Sequence, residues 1–446
     1  MQYLSNKTFY IVGMGVTGKG VVSFLKKHKA HFLAWDDHNL EADYVSPEKA
    51  PWHNIDICIL SPGISFEHPL HPAIIYAQKH NVEIITDIEL YARLTKIKQH
   101  IGVTGTVGKS TAVSFISHHY NRAGITSQPC GNFGIPILDI IENTQLPVIE
   151  LSSAQLAITS KPFLDVAIIT SFFPDHLDFH GTFARYLKAK KRIERLLNPD
   201  GLMIVWMDYM DEIDFLEWQN TIYISSNPED EKAHIIIEKS GFVEKKSGIR
   251  QQYNMPKHLT LKHSMRFLYA TVFCINKHLN LTKTDPFIQE SLNTFKNLEH
   301  RCEYVGSWEN VTCVNDSKAS NTEATCHALN TFRNIIWLAG GRRKSPFEIS
   351  NSLSTAMNNV RCGYFFGEDA QIFSSALQDK IPQTKQCENL ENAVMHAIAF
   401  ARAHPTESFY IVLSPAATSF DQFPNFTERG RMFKKALYEY FHQEAL

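Results

Sequence analysis

A chain of 446 residues with 44 basic and 46 acidic side chains exceeds what one hydrophobic core organises, and its formal charge of −2 supplies no field for gripping a nucleic-acid backbone or an anionic membrane surface. No stretch reaches the roughly 18 to 20 uninterrupted apolar residues of a membrane span, and residues 9–12 run into a glycine cluster rather than a secretory leader, so no membrane insertion is expected. That charge balance favours small-molecule partners, and the eight cysteines, scattered without a C-x-x-C pair, predict reduced thiols and a cytoplasmic location.

In chain order, β-rich runs at 9–12, 31–35, 55–60 and 82–85 alternate with helical or turn segments, the pattern of a parallel α/β sheet. The first run opens onto Gly13-Met14-Gly15-Val16-Thr17-Gly18, and Asp36 and Asp37 follow the second. Glycines there let N–H groups at a helix start approach a pyrophosphate, and a following carboxylate accepts from a hydroxyl or a base. Taken alone, the pattern leaves open a dinucleotide, some other nucleotide, or a plain tight turn.

A second α/β region starts with a strand at 101–104 that runs into Thr104-Gly105-Thr106-Val107-Gly108-Lys109-Ser110-Thr111 and a helix. Backbone N–H groups and Lys109 would cradle ATP phosphates while Ser110 reaches Mg²⁺. The strict phosphate-loop pattern is missed, because Val103 occupies the first glycine position and Gly102 comes one residue early. Strands at 148–151 and 166–170 then deliver Glu150-Leu151-Ser152-Ser153 and Pro174-Asp175-His176-Leu177-Asp178 to the same sheet edge. Glu150 and His176 are candidate Mg²⁺ ligands; singly, they read equally as a solvated strand end and a loop histidine. In a helix expected over 182–197, Phe183, Tyr186, Leu187, Ile193 and Leu197 form one apolar stripe, and Lys190 falls on it. Such a lysine either snorkels outward or faces a site. Residues 225–246 read as loops and edge strands.

Strands at 310–314, 335–339, 362–366 and 409–413 define a third α/β region, with a boundary near 298. Their flanks carry His300-Arg301, Asn315-Asp316-Ser317-Lys318-Ala319-Ser320-Asn321, Gly340-Gly341-Arg342-Arg343-Lys344 and Leu413-Ser414-Pro415-Ala416-Ala417-Thr418-Ser419-Phe420. Cationic, hydroxyl and small residues at strand ends suit an anionic ligand.

Together these motifs, with Gly131-Asn132-Phe133-Gly134, Leu60-Ser61-Pro62-Gly63-Ile64, Asp87-Ile88-Glu89-Leu90 and Glu428-Arg429-Gly430, resemble the Mur ligases over nearly the whole chain. The third-region motifs resemble the branch of that family that adds D-glutamate. The resemblance implies three α/β domains: an N-terminal Rossmann-like domain (1–96) for the UDP-substrate, a central P-loop-type ATPase domain (97–298), and a C-terminal Rossmann-like domain (299–446) for the amino acid. It implies an ATP-dependent, ADP-forming acid–amino-acid ligase, a monomer that uses two Mg²⁺ ions to join D-glutamate to UDP-N-acetylmuramoyl-L-alanine in peptidoglycan synthesis, through an acyl phosphate. Carried over residue by residue, Gly15, Val16, Thr17, Asp36, Asp37 and Asn132 face the UDP-substrate, and Gly105, Thr106, Gly108, Lys109, Ser110, Thr111, Arg301 and Asp316 face ATP. Ser110, Glu150, His176 and a carbamylated Lys190 map onto metal ligands, with Lys109, His176 and Lys190 the catalytic set. Ser320, Lys344, Ser419 and Phe426 map onto the D-glutamate pocket. Val107 and Ser171 stand where the family has asparagines, Ala154 where it has an aromatic, Arg343 where it has an aspartate, and His263-Ser264-Met265-Arg266-Phe267 where it has His-Asn-x-x-Asn.

Overall fold

The structure, a computed structural model, describes all residues except 1, 39–43, 65, 67–69, 174, 211–217, 257–261, 344–346, 348 and 444–446. The chain divides into two compact units, Met1–Asn254 with Ser264–Phe295, and Met255–His263 with Lys296–Leu446. The first unit holds two sheets and the second holds one.

The first sheet comprises β1 (Thr8–Val12), β2 (His31–Trp35), β3 (Ile57–Leu60) and β4 (Glu83–Ile85), all parallel in the order β2-β1-β3-β4. The chain reverses direction across the sheet at β1, so Gly13 and Ser61, just past β1 and β3, sit side by side at the carboxyl edge; Ser61 Oγ donates to Gly13 O at 2.6 Å.

The second sheet follows with β5 (Ile101–Thr104), β6 (Pro129–Gly131), β7 (Val148–Glu150), β8 (Leu164–Ile169), β9 (Leu197–Trp206), β10 (Thr221–Ser225), β11 (Ile235–Glu238), β12 (Gly241–Glu244) and β13 (Arg250–Gln252). Its order is β13-β12-β11-β10-β9-β8-β5-β7-β6, antiparallel only at β11-β12-β13. The 225–246 stretch thus supplies short strands at the sheet margin, as expected. β5 lies between β7 and β8, so three strand ends, at Thr104, Glu150 and Ile169, meet at a topological switch point. Both faces of these strands are covered, which accounts for runs such as Val148-Ile149 and Val166-Ala167-Ile168 with no alternation. One apolar core runs without a break from Phe9, Ile59 and Ile88 to Leu151, Leu164 and Ile193, welding the first two sheets together.

The expected helix over 182–197 is shorter than its stripe. The α-helix Phe183–Lys191 gives way to a 3-10 turn, Arg192–Leu196, because the chain must already be extended at Leu197 to start β9. Arg192 uses the change of direction to donate to Leu156 O at 2.8 Å and Thr159 O at 3.3 Å, the carbonyl end of helix Ser153–Ile158.

The second unit carries β14 (Glu303–Trp308), β15 (Val311–Asn315), β16 (Ile335–Gly340), β17 (Val360–Phe366), β18 (Thr384–Cys387) and β19 (Phe409–Leu413) in the order β14-β15-β19-β16-β17-β18. Only β14 is antiparallel to its neighbour. β19 lies between β15 and β16, so the loops after Asn315, Gly340 and Leu413 are neighbours at one edge. All eight cysteines are free thiols, and seven of them are buried.

Candidate active site

At the switch point of the second sheet, β5 is followed by Gly105 at φ 147°, a backbone state that only glycine adopts comfortably, and a Cβ there would run into Thr170 Oγ1. The turn closes at Gly108, φ 89°, and helix Lys109–Arg122 starts. Thr106 N and Val107 N donate to Ser171 Oγ at 3.1 and 2.8 Å, and Ser171 Oγ donates to Val107 O at 3.0 Å. Ser171 and Val107, both departures from the family pattern, are therefore bonded to each other. An anion at this turn would meet the N-terminal first turn of helix Lys109–Arg122.

Behind the turn, Ser110 Oγ donates to Glu150 Oε2 at 2.5 Å and Asn132 Nδ2 donates to Oε1 at 3.1 Å. Asn132, which the resemblance places against the UDP-substrate, thus bonds the Glu150 carboxylate. Glu150 and Ser110 are both buried. Lys109 Nζ donates to Gly105 O at 2.7 Å and to Thr106 O at 2.9 Å. Lys190, 2% exposed, donates to the same Gly105 O at 2.7 Å and lies 4.9 Å over the Tyr186 ring. The apolar stripe therefore turns Lys190 into the site rather than outward. Burial first, and then the Lys109 cation, hold its ammonium well below the ordinary lysine range, against the opposing pull of Asp175 and Glu150.

Tyr186 was not singled out for function from the sequence. Its spacing of four from Lys190 was the available signal, since such residues share a helix face. Its hydroxyl meets Thr106 Oγ1 at 2.9 Å, and Thr106 Oγ1 donates to Phe173 O at 3.1 Å. His176 sits at φ 50°, half exposed, 3.7 Å from Asp175 and with its ring 6.3 Å from that of Tyr186. Thr111 is buried in the first turn of the helix. Among the described residues no group of three His, Cys, Asp or Glu side chains gathers as a metal cage.

At the edge of the first sheet a Cβ at Gly18 would collide with Gly13 O, while Gly15 faces open space. Val16, 73% exposed, and Thr17 begin the helix Val16–Lys27. Asp36 Oδ2 accepts from Met14 N at 2.6 Å and so pins the glycine turn. Asp37 accepts from Trp35 Nε1 at 2.8 Å and meets His71 Nε2 at 3.0 Å.

In the second unit Asp316 accepts from Cys302 N at 3.1 Å and Ser414 Oγ at 2.8 Å, and burial pushes its carboxyl up to about 7. Arg301 is half-buried beside it and opposes that rise. Phe426 O accepts from Ser317 Oγ at 2.8 Å, and its ring carries Lys318 Nζ at 4.9 Å. Ser320 is half-buried and Ser419 buried, on the loops after β15 and β19. Lys344 lies outside the described residues; Arg343, just before it, donates its N–H to Asp369 Oδ2 at 2.7 Å, with Nε at 3.2 Å.

The organiser of these loops is Arg429, whose position in Glu428-Arg429-Gly430 gave no hint of its partners. Its guanidinium is fully buried and donates to Ser317 Oγ and O, Gly340 O, Ala417 O and Thr418 O at 2.8 to 3.3 Å. One side chain thus ties the exits of β15, β16 and β19.

Comparison with known proteins agrees with this architecture. Residues 103–268 match the Mur ligase middle domain. A UDP-N-acetylmuramoylalanine--D-glutamate ligase of Bradyrhizobium diazoefficiens is 32% identical over 97% of this chain and 96% of its own, and one of Wolbachia pipientis is 30% identical over 98% of each. The fold matches that of the UDP-N-acetylmuramate-alanine ligase of Thermotoga maritima, with a TM-score of 0.59 at 15% identity over 97% of this chain and 100% of that one. It also matches a MurF ligase of Thermotoga maritima in complex with ADP, with a TM-score of 0.56 at 15% identity over 98% of this chain and 97% of that one. With nearly full-length relatives at this identity, the chain belongs to the Mur ligase family, among the UDP-N-acetylmuramoylalanine--D-glutamate ligases.

Proposed function

We propose that this chain is an ATP-dependent ligase that joins D-glutamate to UDP-N-acetylmuramoyl-L-alanine, with release of ADP and phosphate, in the cytoplasmic synthesis of the peptidoglycan precursor. The observation that carries the reading is the convergence of Lys109, Ser110, Glu150 and Lys190 on one switch point behind a glycine turn. We divide the chain at 96/97, where the first sheet gives way to the second, and at 298/299, and take it to act as a monomer. No helix among the described residues is long and apolar enough to cross a membrane.

A carboxylate resists attack by an amine because oxide is a poor leaving group. Phosphorylation by ATP turns that oxygen into phosphate, which leaves readily, so the L-alanine carboxylate of the nucleotide substrate attacks the γ-phosphorus and the D-glutamate amine then displaces phosphate. Both steps need positioning and charge compensation more than covalent help. Lys109 supplies a cation at the turn, and the N–H groups of the first helical turn point at the phosphates.

A buried hydroxyl and carboxylate at hydrogen-bond distance form a hard-oxygen pair that fits Mg²⁺, which takes one or two carboxylates and fills its shell with phosphate oxygens and water. Ser110 and Glu150 would hold one such ion, and His176 with a carbamylated Lys190 a second. Bound there, the ions would neutralise charge on the transferred phosphoryl group. Carbamylation needs a neutral amine, which adds to CO₂ and loses a proton to become an anion; the low proton affinity of Lys190 favours it.

Gly15, Val16, Thr17, Asp36 and Asp37 are assigned to the UDP moiety and Asn132 to the muramoyl end near Glu150. Gly105, Thr106, Gly108 and Thr111 line the ATP turn, and Arg301 and Asp316 are assigned to ATP. Ser320, Lys344, Ser419 and Phe426 receive D-glutamate. The test is phosphate release by the purified chain with ATP, Mg²⁺ and UDP-N-acetylmuramoyl-L-alanine. Release that requires D-glutamate and is not supported by L-glutamate is the expected result, and release indifferent to the amino acid refutes the assignment.

A further inference from the structure

The helix Asp87–Leu94 leaves the first sheet after β4, and the helix Ser153–Ile158 starts three residues after Glu150 at the end of β7. Their contact is polar and buried. Gln155, fully buried, accepts on Oε1 from Ser152 N at 3.1 Å and Ser152 Oγ at 3.0 Å, while Ser152 Oγ accepts from Gln155 N at 3.2 Å. That reciprocal cap orients the amide. Its Nε2 points across to the first sheet's helix and donates to Asp87 Oδ1 at 3.1 Å. Asp87 is 2% exposed, and burial pushes its carboxyl up to about 6.

Two further links run beside it. Thr86 Oγ1 meets Thr159 Oγ1 at 2.8 Å, and Glu89 Oε2 accepts from Ser160 N at 2.8 Å and Lys161 N at 3.0 Å. Asp87, Thr86 and Glu89 therefore hold the other helix in its first turn, at its end and just beyond. Burying two carboxylates costs several kcal/mol before their hydrogen bonds offset it. Apolar side chains of both helices share the common core, but that attraction is non-directional and sets orientation only through packing. Directional bonds in the first turn and at the end of the helix add a fixed register.

We infer that Asp87 and Gln155 are positioning residues for phosphoryl transfer, fixing the first sheet, which carries the glycine turn, to the end of β7, which carries Glu150. The inference rests on the proposed function, in which the UDP-substrate lies on the first sheet and must deliver its carboxylate to the ATP turn. Both side chains are buried and bonded to protein groups. A displacement of about 1 Å between the two sheets suffices to lower such a rate roughly 100-fold while each ligand still binds its own sheet.

The test compares the full chain with Asp87→Ala, Gln155→Ala, the double variant and Asp87→Asn, which keeps an acceptor oxygen. Assays run at a temperature where melting curves show every variant folded. Expected is a 10- to 100-fold fall in kcat for each alanine variant, with KM for ATP and for the nucleotide substrate within about threefold of the parent. The double variant should be no worse than the poorer single one, since both break one link, and Asp87→Asn should retain half or more of the rate. Unchanged kcat in the alanine variants, or equal rises in both KM values, overturns the inference. Should the parent chain itself release no phosphate, the proposed function fails, and amide exchange decides the joint separately with UDP as the probe. UDP should slow exchange over residues 152–161 in the parent and not in Asp87→Ala; equal slowing in both overturns the joint.

Discussion

Lys109 and Lys190 donate to one carbonyl oxygen, Gly105 O, each at 2.7 Å. Two ammonium groups held this close repel, and only one of them is buried away from water, so the proton is lost more readily from Lys190. The folded chain thus binds fewer protons at Lys190 than the unfolded chain does below the ordinary lysine pKa. Stability from this site therefore rises with pH toward that value. The neutral amine is also the form that captures CO₂. Activity is expected to fall several-fold in bicarbonate-depleted buffer and recover on its return, with a carbamate carbon visible by ¹³C NMR in labelled bicarbonate. Lys190→Arg, which keeps a cation but cannot be carbamylated, should lose 100-fold or more in kcat. An arginine variant with the parent's rate would exclude the carbamate.

The bond between Ser110 Oγ and Glu150 Oε2 sets a second expectation. Glu150→Gln keeps the volume and one acceptor oxygen but removes the charge. It should fold like the parent, raise the Mg²⁺ concentration for half-maximal rate at least tenfold, and lower kcat by roughly 100- to 1000-fold. A Mg²⁺ titration of phosphate release measures both, and an unshifted Mg²⁺ dependence would remove Glu150 from the metal site.

Much of this site was legible because its residues end strands, and a parallel sheet brings strand ends to one edge whatever lies between them. Glu150 and the turn 105–108 needed only that rule. Lys190 was legible as an anomaly on an apolar stripe, and the fold decides between its two readings by burying it. The end of its helix at Lys191 was not legible, since the stripe continues through a 3-10 turn of similar periodicity. Asp87 and Gln155 are 68 residues apart, and neither motif announces the other. Arg429 was hidden for another reason: four of its five acceptors are main-chain carbonyls, which no residue type reveals.

Ser171 shows a departure from the family pattern answered by its neighbour. Its hydroxyl holds the N–H groups of Thr106 and Val107 and donates to Val107 O, so it shapes the phosphate turn that Val107 cannot brace with its own side chain. Ser171→Ala should leave the Val107 N–H without its acceptor, while Thr106 N keeps Ser171 O and Val107 O keeps Thr170 Oγ1, at a cost of about 1–3 kcal/mol. KM for ATP should rise about tenfold while KM for D-glutamate stays near the parent value. Steady-state kinetics with each substrate varied in turn checks the split, and equal changes in both would place Ser171 outside the ATP turn.

Asp316 predicts a pH effect confined to the second unit. Its carboxyl is raised to about 7, so between its ordinary range near 4 and pH 7 the folded form keeps a proton that the unfolded form has released. Stability from this residue is therefore fullest at acid pH and falls as pH rises through 7. Asp316→Asn, which can accept from Cys302 N and pair with Ser414 Oγ, should stabilise this unit at pH 8 by about 1 kcal/mol, or roughly 2–4 °C, with little effect at pH 5. Calorimetric scans at the two pH values measure the difference, and a variant destabilised at pH 8 contradicts the assignment.

Arg429 supplies the sharpest prediction for the amino-acid site. Its planar fork satisfies five oxygens on three loops, a pattern that the three donors of a lysine cannot reproduce. Arg429→Lys should leave at least two acceptors unmet and lower stability by roughly 2 kcal/mol, while Arg429→Ala, which also opens a cavity, should cost roughly 3–5 kcal/mol. Ser317 and Thr418 lie on the loops that carry Ser320 and Ser419, and Gly340 ends β16, so loosening them should act on D-glutamate first. Its KM is expected to rise tenfold or more in Arg429→Lys, with the KM for UDP-N-acetylmuramoyl-L-alanine, assigned to the other unit, changed less than threefold. Urea unfolding and paired substrate titrations test the two halves independently. A lysine variant that matches the parent in both would mean that the three loops keep their places without the guanidinium.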